Sequence, residues 1–411
     1  MLDSLIFAAN SIIPMMLLML LGYVLGRRGF FSAETVRQMN RFTFRFCVSA
    51  MMFRGIYTLS SLSDIRLNTM CFVLVSVIAL TVLGWAEAHL FTKDRSRRGV
   101  IVQNSFRSNI GVIGLYLASS LGGAEGSSVC AGIQTPVIIY NNIMAVTVLT
   151  VYSGGAGRSP GAREVLRRIA VNPMILGQAA GIVCLVIRQF IPRGADGALA
   201  FSLARDLPFL YSAIDSLASL TAPLLLVLLG VQVDFGAVSH FRKELIVGVA
   251  HRLLIAPAVG FALALLAQRM GFITLTNALA ASLVGLYASP AAVASAVMTE
   301  EIGGDAELAR QYVVWTSALS SLSLFVLVLA LRGIAGYWRL RRSVALACKA
   351  PDGCYGGACV AAPFTLGILR PRIYLPDSLQ GAARQAVLLH EQTHIRRGDP
   401  LTKPLFYAAV C

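Results

Sequence analysis

The chain is written as a series of apolar runs, each about as long as a bilayer is thick, separated by short polar stretches. A helix rises about 1.5 Å per residue, so about 20 apolar residues cross a hydrocarbon core of about 30 Å. The first run extends from Leu5 to Leu25 and is closed by Arg27 and Arg28. It predicts a membrane helix rather than a cleaved leader, because the residues before it include Asp3 and no positive side chain. Further runs lie near 38–58, 70–91, 102–120, 128–151, 172–191, 213–233, 244–267, 274–298 and 311–334, which makes ten expected spans. Arg41, Arg45 and Arg54 punctuate the second. After residue 336 the pattern changes. A glycine-rich stretch, CKAPDGCYGGAC, leads to two short extended runs around Arg370-Pro371-Arg372 and then to a helix over 381–399.

Composition narrows the class. Apolar residues are 56% of the 411 and charged residues 13%, against about 45–50% and about 25% in soluble domains. A globule this apolar could not cover its surface in water, so a multi-pass protein of the cell (inner or plasma) membrane is expected. Disorder and a small disulfide scaffold are excluded. The net charge of +15 would point to nucleic acid in a soluble protein. Here the cations collect after the odd-numbered spans: Arg27, Arg28 and Arg37; Lys93, Arg95, Arg97 and Arg98; Arg158, Arg163, Arg167 and Arg168; Arg242 and Lys243. Those loops are therefore expected on the cytoplasmic side with the N-terminus outside, and nucleic acid drops out as a partner.

The apolar runs repeat. PMMLLMLLGYV from Pro14 and PMILGQAAGIV from Pro173 share Pro-Met, a Gly eight residues after the Pro, and a Val two further on. Gly114-Leu115-Tyr116 in the fourth run is matched by Gly285-Leu286-Tyr287 in the ninth. An offset of an odd number of spans reverses topology, so the pattern predicts a 5+5 inverted repeat, the architecture of many secondary transporters. The fourth and ninth spans are the candidates for broken helices. Asn109, Gly111 and Gly114 sit inside the fourth, and Pro290 removes an amide from the ninth. Half-helices meeting there would aim positive N-terminal ends at one spot, which suits a carboxylate. Gln134, Tyr140, Asn141 and Asn142 in the fifth span are further polar candidates, either as ligand contacts or as interhelical hydrogen-bonding groups.

GYVLGRRGF at 22–30, FRSNIGVIGL at 106–115, NPMILGQAAGI at 172–182, TAPLLLVLLGVQV at 221–233 and ASPAAVASAV at 288–297 together resemble the auxin efflux carrier family of permeases. The resemblance covers residues 1–336. It implies ten helices, a crossover of spans 4 and 9, and transport of a small organic acid. Asn109 matches the family's span-4 Asn, which contacts the substrate carboxylate, and Pro290 matches the crossover Pro of span 9. Tyr116 stands where the family usually has a Pro, and Ser49 where a Pro is common. The expected partners are a small organic anion, a coupling ion (proton or sodium), the bilayer and a second copy in a homodimer. No cofactor is expected for transport.

The last segment carries different chemistry. His390, Glu391 and His394 form HExxH. Imidazoles at i and i+4 share a helix face and can bind one zinc, and the intervening Glu can take a proton from zinc-bound water. Cys348, Cys354 and Cys359 do not have zinc-ribbon spacing. PFTLGILRPRIYLP at 363–376 and LLHEQTHIRRGDPLTKPL at 388–405 resemble the M56 zinc metallopeptidases of the β-lactam-sensing antirepressor type. The resemblance implies zinc on His390 and His394, with Glu391 as general base. The family's third ligand is a Glu on a later helix, and none follows here, so the segment reads as cut short. Ten spans would put residue 340 outside, whereas Arg339, Arg341 and Arg342 favour the inside, and both placements stay open. The expectation is an all-α membrane carrier over 1–336 with a small α+β, partial metallopeptidase segment over 337–411. A membrane-embedded zinc metallopeptidase of signalling type is the alternative.

Overall fold

In the computed structural model the apolar runs fold as helices, as intrahelical hydrogen bonding requires of backbone in lipid. The structure describes residues 2–58, 67–153, 161–192, 200–350, 353–357, 359–367, 371–397 and 399. The chain divides into two compact units. One comprises residues 9–323, the other residues 324–411 with the first eight.

Five described helices are long and apolar enough to cross a membrane: Leu67–Phe91, Leu115–Ser153, Pro173–Phe190, Pro208–Val231 and Arg242–Arg269. The last is continuous only through a π-turn, His251–Ile255, between Arg242–Ala250 and Ala256–Arg269. Their starts follow local chemistry. Asn172 accepts from the Met174 amide with Pro173 at the first helical position, and Thr276 caps Asn277–Tyr287 through the Leu279 amide. The expected separation of the fourth and fifth spans near 121–127 takes the form of a reversal at Gly123. There φ is +64°, a conformation that favours glycine. A Cβ on Gly126 would strike the carbonyl of Ala118, eight residues earlier. A straight helix would hold those residues about 12 Å apart, so the chain doubles back.

Two helices break. Arg95–Phe106 ends at Arg107, and the chain resumes as the π-turn Ile110–Gly114 leading into Leu115–Ser153. Asn277–Tyr287 ends at Ala288 and resumes as Ala294–Ile302. The broken segments pair. Ser108 and Ala291 form an antiparallel bridge, the Asn109 amide donates to the Pro290 carbonyl at 2.9 Å, and the Ala292 amide donates to the Arg107 carbonyl at 3.1 Å. Irregular backbone at membrane depth needs such partners. Gly114 and Gly285 let the two elements touch, since a Cβ on Gly114 would lie 2.6 Å from the Gly285 carbonyl oxygen. The two Gly-Leu-Tyr stretches do not hold equivalent places, however. Gly114 follows its break and Gly285 precedes its own.

The other unit contains the end of helix Ala306–Ser343, four short strands and the helix Gly381–Arg396. Strands β1 (Cys348–Lys349), β2 (Tyr355–Gly356), β3 (Phe364–Leu366) and β4 (Arg372–Tyr374) are ordered β1-β2-β4-β3. β3 and β4 are the two extended runs expected around residues 370–372, paired antiparallel with Phe364 opposite Tyr374. Val344, Val360, Leu366 and Tyr374 make its small core.

Candidate functional site

The breaks open onto a cavity of about 420 Å³, within the range of small-ligand pockets. Met51 and Met52 of helix Val48–Tyr57, Arg107 to Gly111, Gln134, Asn141 and Asn142, Ser219 and Thr221, and Ala292 to Ala294 line it. Of the residues singled out in the sequence, Asn109, Gly111, Gln134, Asn141 and Asn142 are on its wall. Gly114 and Pro290 stand behind it. They set the helix contact and the backbone pairing instead. Tyr140 is an interhelical link, donating to the Thr81 hydroxyl at 2.9 Å.

Arg107 went unnoticed in the sequence, although it lies within FRSN. It is 4% exposed. Its guanidinium donates to Asn142 Oδ1 at 3.0 Å and otherwise meets the thioethers of Met298 and Met174. No carboxylate pairs with it among the described residues. The cavity wall also holds buried polar atoms without a partner, Ser108 Oγ and Asn141 Oδ1. A second cation on the wall, Arg54, is already engaged by Asp215 and Ser219 at 2.8 and 2.7 Å.

The opposite ends of the breaks are held by another buried arginine. Arg252, on the π-turn, donates to Ser105 O at 3.1 Å, Leu286 O at 3.3 Å and Tyr287 O at 2.7 Å. These carbonyls are the C-terminal, negative ends of Arg95–Phe106 and Asn277–Tyr287. The resuming segments at Asn109–Ile110 and Val293–Ala294 face the cavity. The breaks are therefore polarised: a fixed cation saturates their negative ends, and their positive ends open on the cavity.

In the second unit the HExxH residues converge on one point. His390 Nε2 and His394 Nε2 lie 3.0 Å apart, close to the about 3.3 Å that two ligands of a tetrahedral zinc would keep at bonds of about 2.0–2.1 Å. His390, Glu391 and His394 present their ligand atoms within 4.8 Å of one another. Asp399 accepts from His394 Nδ1 at 2.5 Å, which fixes the tautomer and leaves Nε2 with its lone pair free for a metal. Because Asp399 occupies the far side of the ring, it orients His394 and cannot be a third ligand to the same ion. Thr365 of β3 donates to Glu391 Oε2 at 2.8 Å and holds the carboxylate in place. The donor set fits zinc with two imidazoles.

Comparison with known proteins agrees with both chemistries. Residues 7–159 match the family described as "Membrane transport protein", and residues 225–411 match "BlaR1 peptidase M56". An "Uncharacterized transporter" of Methanothermobacter thermautotrophicus is 22% identical over 321 residues, 77% of this chain and 96% of that protein. The "Uncharacterized transporter YfdV" of Escherichia coli K12 is 24% identical over 199 residues, 46% of this chain and 62% of its own length. The class is thus a multi-pass membrane protein in which residues 7–159 are similar to membrane transport proteins and residues 225–411 to M56 peptidases. The second match begins at residue 225, inside helix Pro208–Val231 and well before the expected seam near 337.

Proposed function

We propose that the chain is a secondary carrier for a small organic anion, a carboxylate or dicarboxylate, coupled to an ion gradient. The observation that carries this reading is Arg107, a buried cation on the wall of a 420 Å³ cavity with no carboxylate partner among the described residues. A cation at membrane depth costs about 2.5–3.5 kcal/mol, and an anionic ligand supplies the missing charge. On this reading the Asn109 side chain and the positive ends of the resuming segments position the carboxylate. Gln134 and Asn141 complete the polar wall, and Gly111, Gly114 and Pro290 shape the break. The paired breaks support a crossover of spans 4 and 9 in a ten-span 5+5 inverted repeat over residues 1–336. Proteoliposomes holding the full chain should take up radiolabelled malonate or succinate, and Asn109→Ala and Arg107→Gln should weaken that uptake at low substrate concentration. Absence of uptake for every organic acid tried, with neither variant changing anything, would sink the proposal.

A second reading concerns residues 337–411 and rests on the convergent imidazoles. His390 and His394 would hold one zinc, which when bound supplies a Lewis acid that acidifies water. Glu391, held by Thr365, would accept the proton. The purified protein should retain about one zinc per chain by elemental analysis, lost in His390→Ala. Zinc content unchanged by that substitution would refute the assignment.

A further inference from the structure

The π-turn that supplies Arg252 also carries one member of a titratable pair that does not line the cavity. His251 is 1% exposed, and its Nδ1 lies 2.9 and 2.8 Å from the two oxygens of Glu87, on Leu67–Phe91. The Glu87 side chain is 15% exposed, so the carboxylate is the member nearer water. The other ring nitrogen, His251 Nε2, is buried without a partner. Ionisable pairs inside membrane helices are rare and mark proton or ion paths, and π-turns concentrate at functional sites.

We propose that the His251–Glu87 pair binds the coupling proton of the carrier, with His251 Nε2 as the atom that gains and loses it. With Nδ1–H donated to Glu87, Nε2 carries a lone pair. Uptake forms an Nε2–H bond as an O–H bond of hydronium from the aqueous phase breaks, leaving water and an imidazolium paired with the carboxylate. Release reverses the step. The surrounding charges leave this pair as the unit able to change state. Arg252, on the same turn, is committed to three carbonyls. Glu244, on the preceding helix, is paired with Arg97 of Arg95–Phe106 at 3.0 Å, and Arg97 also meets Asp305 at 3.3 Å. Tyr312 of Ala306–Ser343, which feels the Glu87 charge, donates its hydroxyl to Glu244 O. A proton on His251 adds a charge one residue from Arg252, the group that ties both broken helices together, which links proton binding to the shape of the break.

The proposal rests on the carrier reading, and two measurements keep the readings apart. In full-length protein in lipid nanodiscs with ¹⁵N-labelled histidine, the His251 signal is identified among the five histidines by its loss in His251→Gln. It should show an Nδ1–H tautomer whose Nε2 gains a proton reversibly as the pH is lowered through about 9 to 5, with the transition displaced in Glu87→Gln. A His251 ring fixed in one state over that range overturns the proton site, whatever is transported. In proteoliposomes, malonate accumulation driven by an imposed pH gradient is compared with malonate counterflow. The ratio of the two should fall at least tenfold in both His251→Gln and Glu87→Gln. An unchanged ratio overturns the proposal, whereas a wild-type protein that moves no malonate but titrates at His251 refutes only the choice of substrate.

Discussion

Arg107 and Arg252 are both buried beside the same pair of helix breaks, yet their surroundings are opposite in kind. Arg252 is held by backbone: its two terminal guanidinium nitrogens donate to three carbonyls from two helix ends, and it does not line the cavity. Arg107 is met by one amide oxygen and two thioethers and lines the cavity wall. A buried cation held by several backbone carbonyls is a structural tie. One left short of acceptors beside a cavity is an opening for a ligand of opposite charge. The contrast is one of acceptor type: strong backbone carbonyls meet Arg252, whereas weak thioethers and a single amide oxygen meet Arg107.

The largest test of this contrast is Arg252→Ala. It strands three buried carbonyls, each worth about 1–3 kcal/mol when left unpaired. The variant should lose more than about 3 kcal/mol of stability, read as a lowered unfolding midpoint and poor monodispersity in detergent. Arg252→Lys should recover only part of the loss, because an ammonium lacks the planar fork. A wild-type midpoint for the Ala variant would remove the distinction between the two arginines.

Arg107→Gln should do the reverse. Removing an incompletely paired buried charge is often neutral for stability, so the unfolding midpoint should stay close to wild type. A charge-assisted contact to an anion is worth about 1.5–3 kcal/mol, and apparent affinity for malonate should therefore weaken about 10- to 100-fold. Concentration-dependent uptake measures this directly. Arg107→Lys keeps the charge and should fall between the two. A loss of folding with no separate effect on affinity would place Arg107 beside Arg252 as a tie.

The two chemistries differ in how far the residues betrayed them. HExxH was legible because its three members lie within one helical turn, where spacing alone sets direction, and the structure brings His390 and His394 to a common point. The cavity was legible only in part. Asn109 and Pro290 marked the breaks because an amide and a proline are conspicuous in apolar runs. The group that holds the negative ends of the breaks, Arg252, lies on a segment distant in sequence from the first of them, and no local periodicity reports a long-range contact. Arg107 was hidden for another reason: it lies within the fourth run, beside the more conspicuous Asn109, and only packing shows that it is buried. Glu87 and His251, 164 residues apart, likewise became a pair only through packing. The Gly-Leu-Tyr repeat suggested a register that the breaks do not share, because helices in lipid draw on a small alphabet and match easily.

Smaller in effect is the contact that brings the broken segments together. In Gly114→Val the added atoms would meet the Gly285 backbone, which cannot swing away as a side chain could. Overpacking of this kind costs about 1–3 kcal/mol. The segment that follows Arg107 and the helix whose end Arg252 holds should separate, so the variant should lose stability and malonate affinity together, unlike either arginine substitution alone. An affinity loss at full stability would show that the contact serves the ligand and not the scaffold.

The smallest effect is expected where solvent can replace the protein. Asp94 caps Arg95–Phe106 from outside the spans and accepts from the Ser96 amide at 2.8 Å and the Arg97 amide at 3.4 Å. Burial alone would push its carboxyl up, but the Ser96 hydroxyl and amide, the Arg97 amide and the Arg97 charge outweigh it and hold the carboxyl below the ordinary range. Losing such a cap costs about 0.5–2 kcal/mol, so Asp94→Ala should lower the unfolding midpoint only slightly. The sign of its pH dependence follows from the lowered value. The cap contributes fully above the unfolded carboxyl pKa, about 3.9, and its contribution disappears as the pH falls through the lower folded value. The gap between wild type and Asp94→Ala should therefore be constant near neutrality and close on acidification below about pH 4. A gap that persists unchanged into acid would mean that Asp94 acts through its packing and not through its charge, and the exposed cap would then differ from the buried arginines in kind as well as in size.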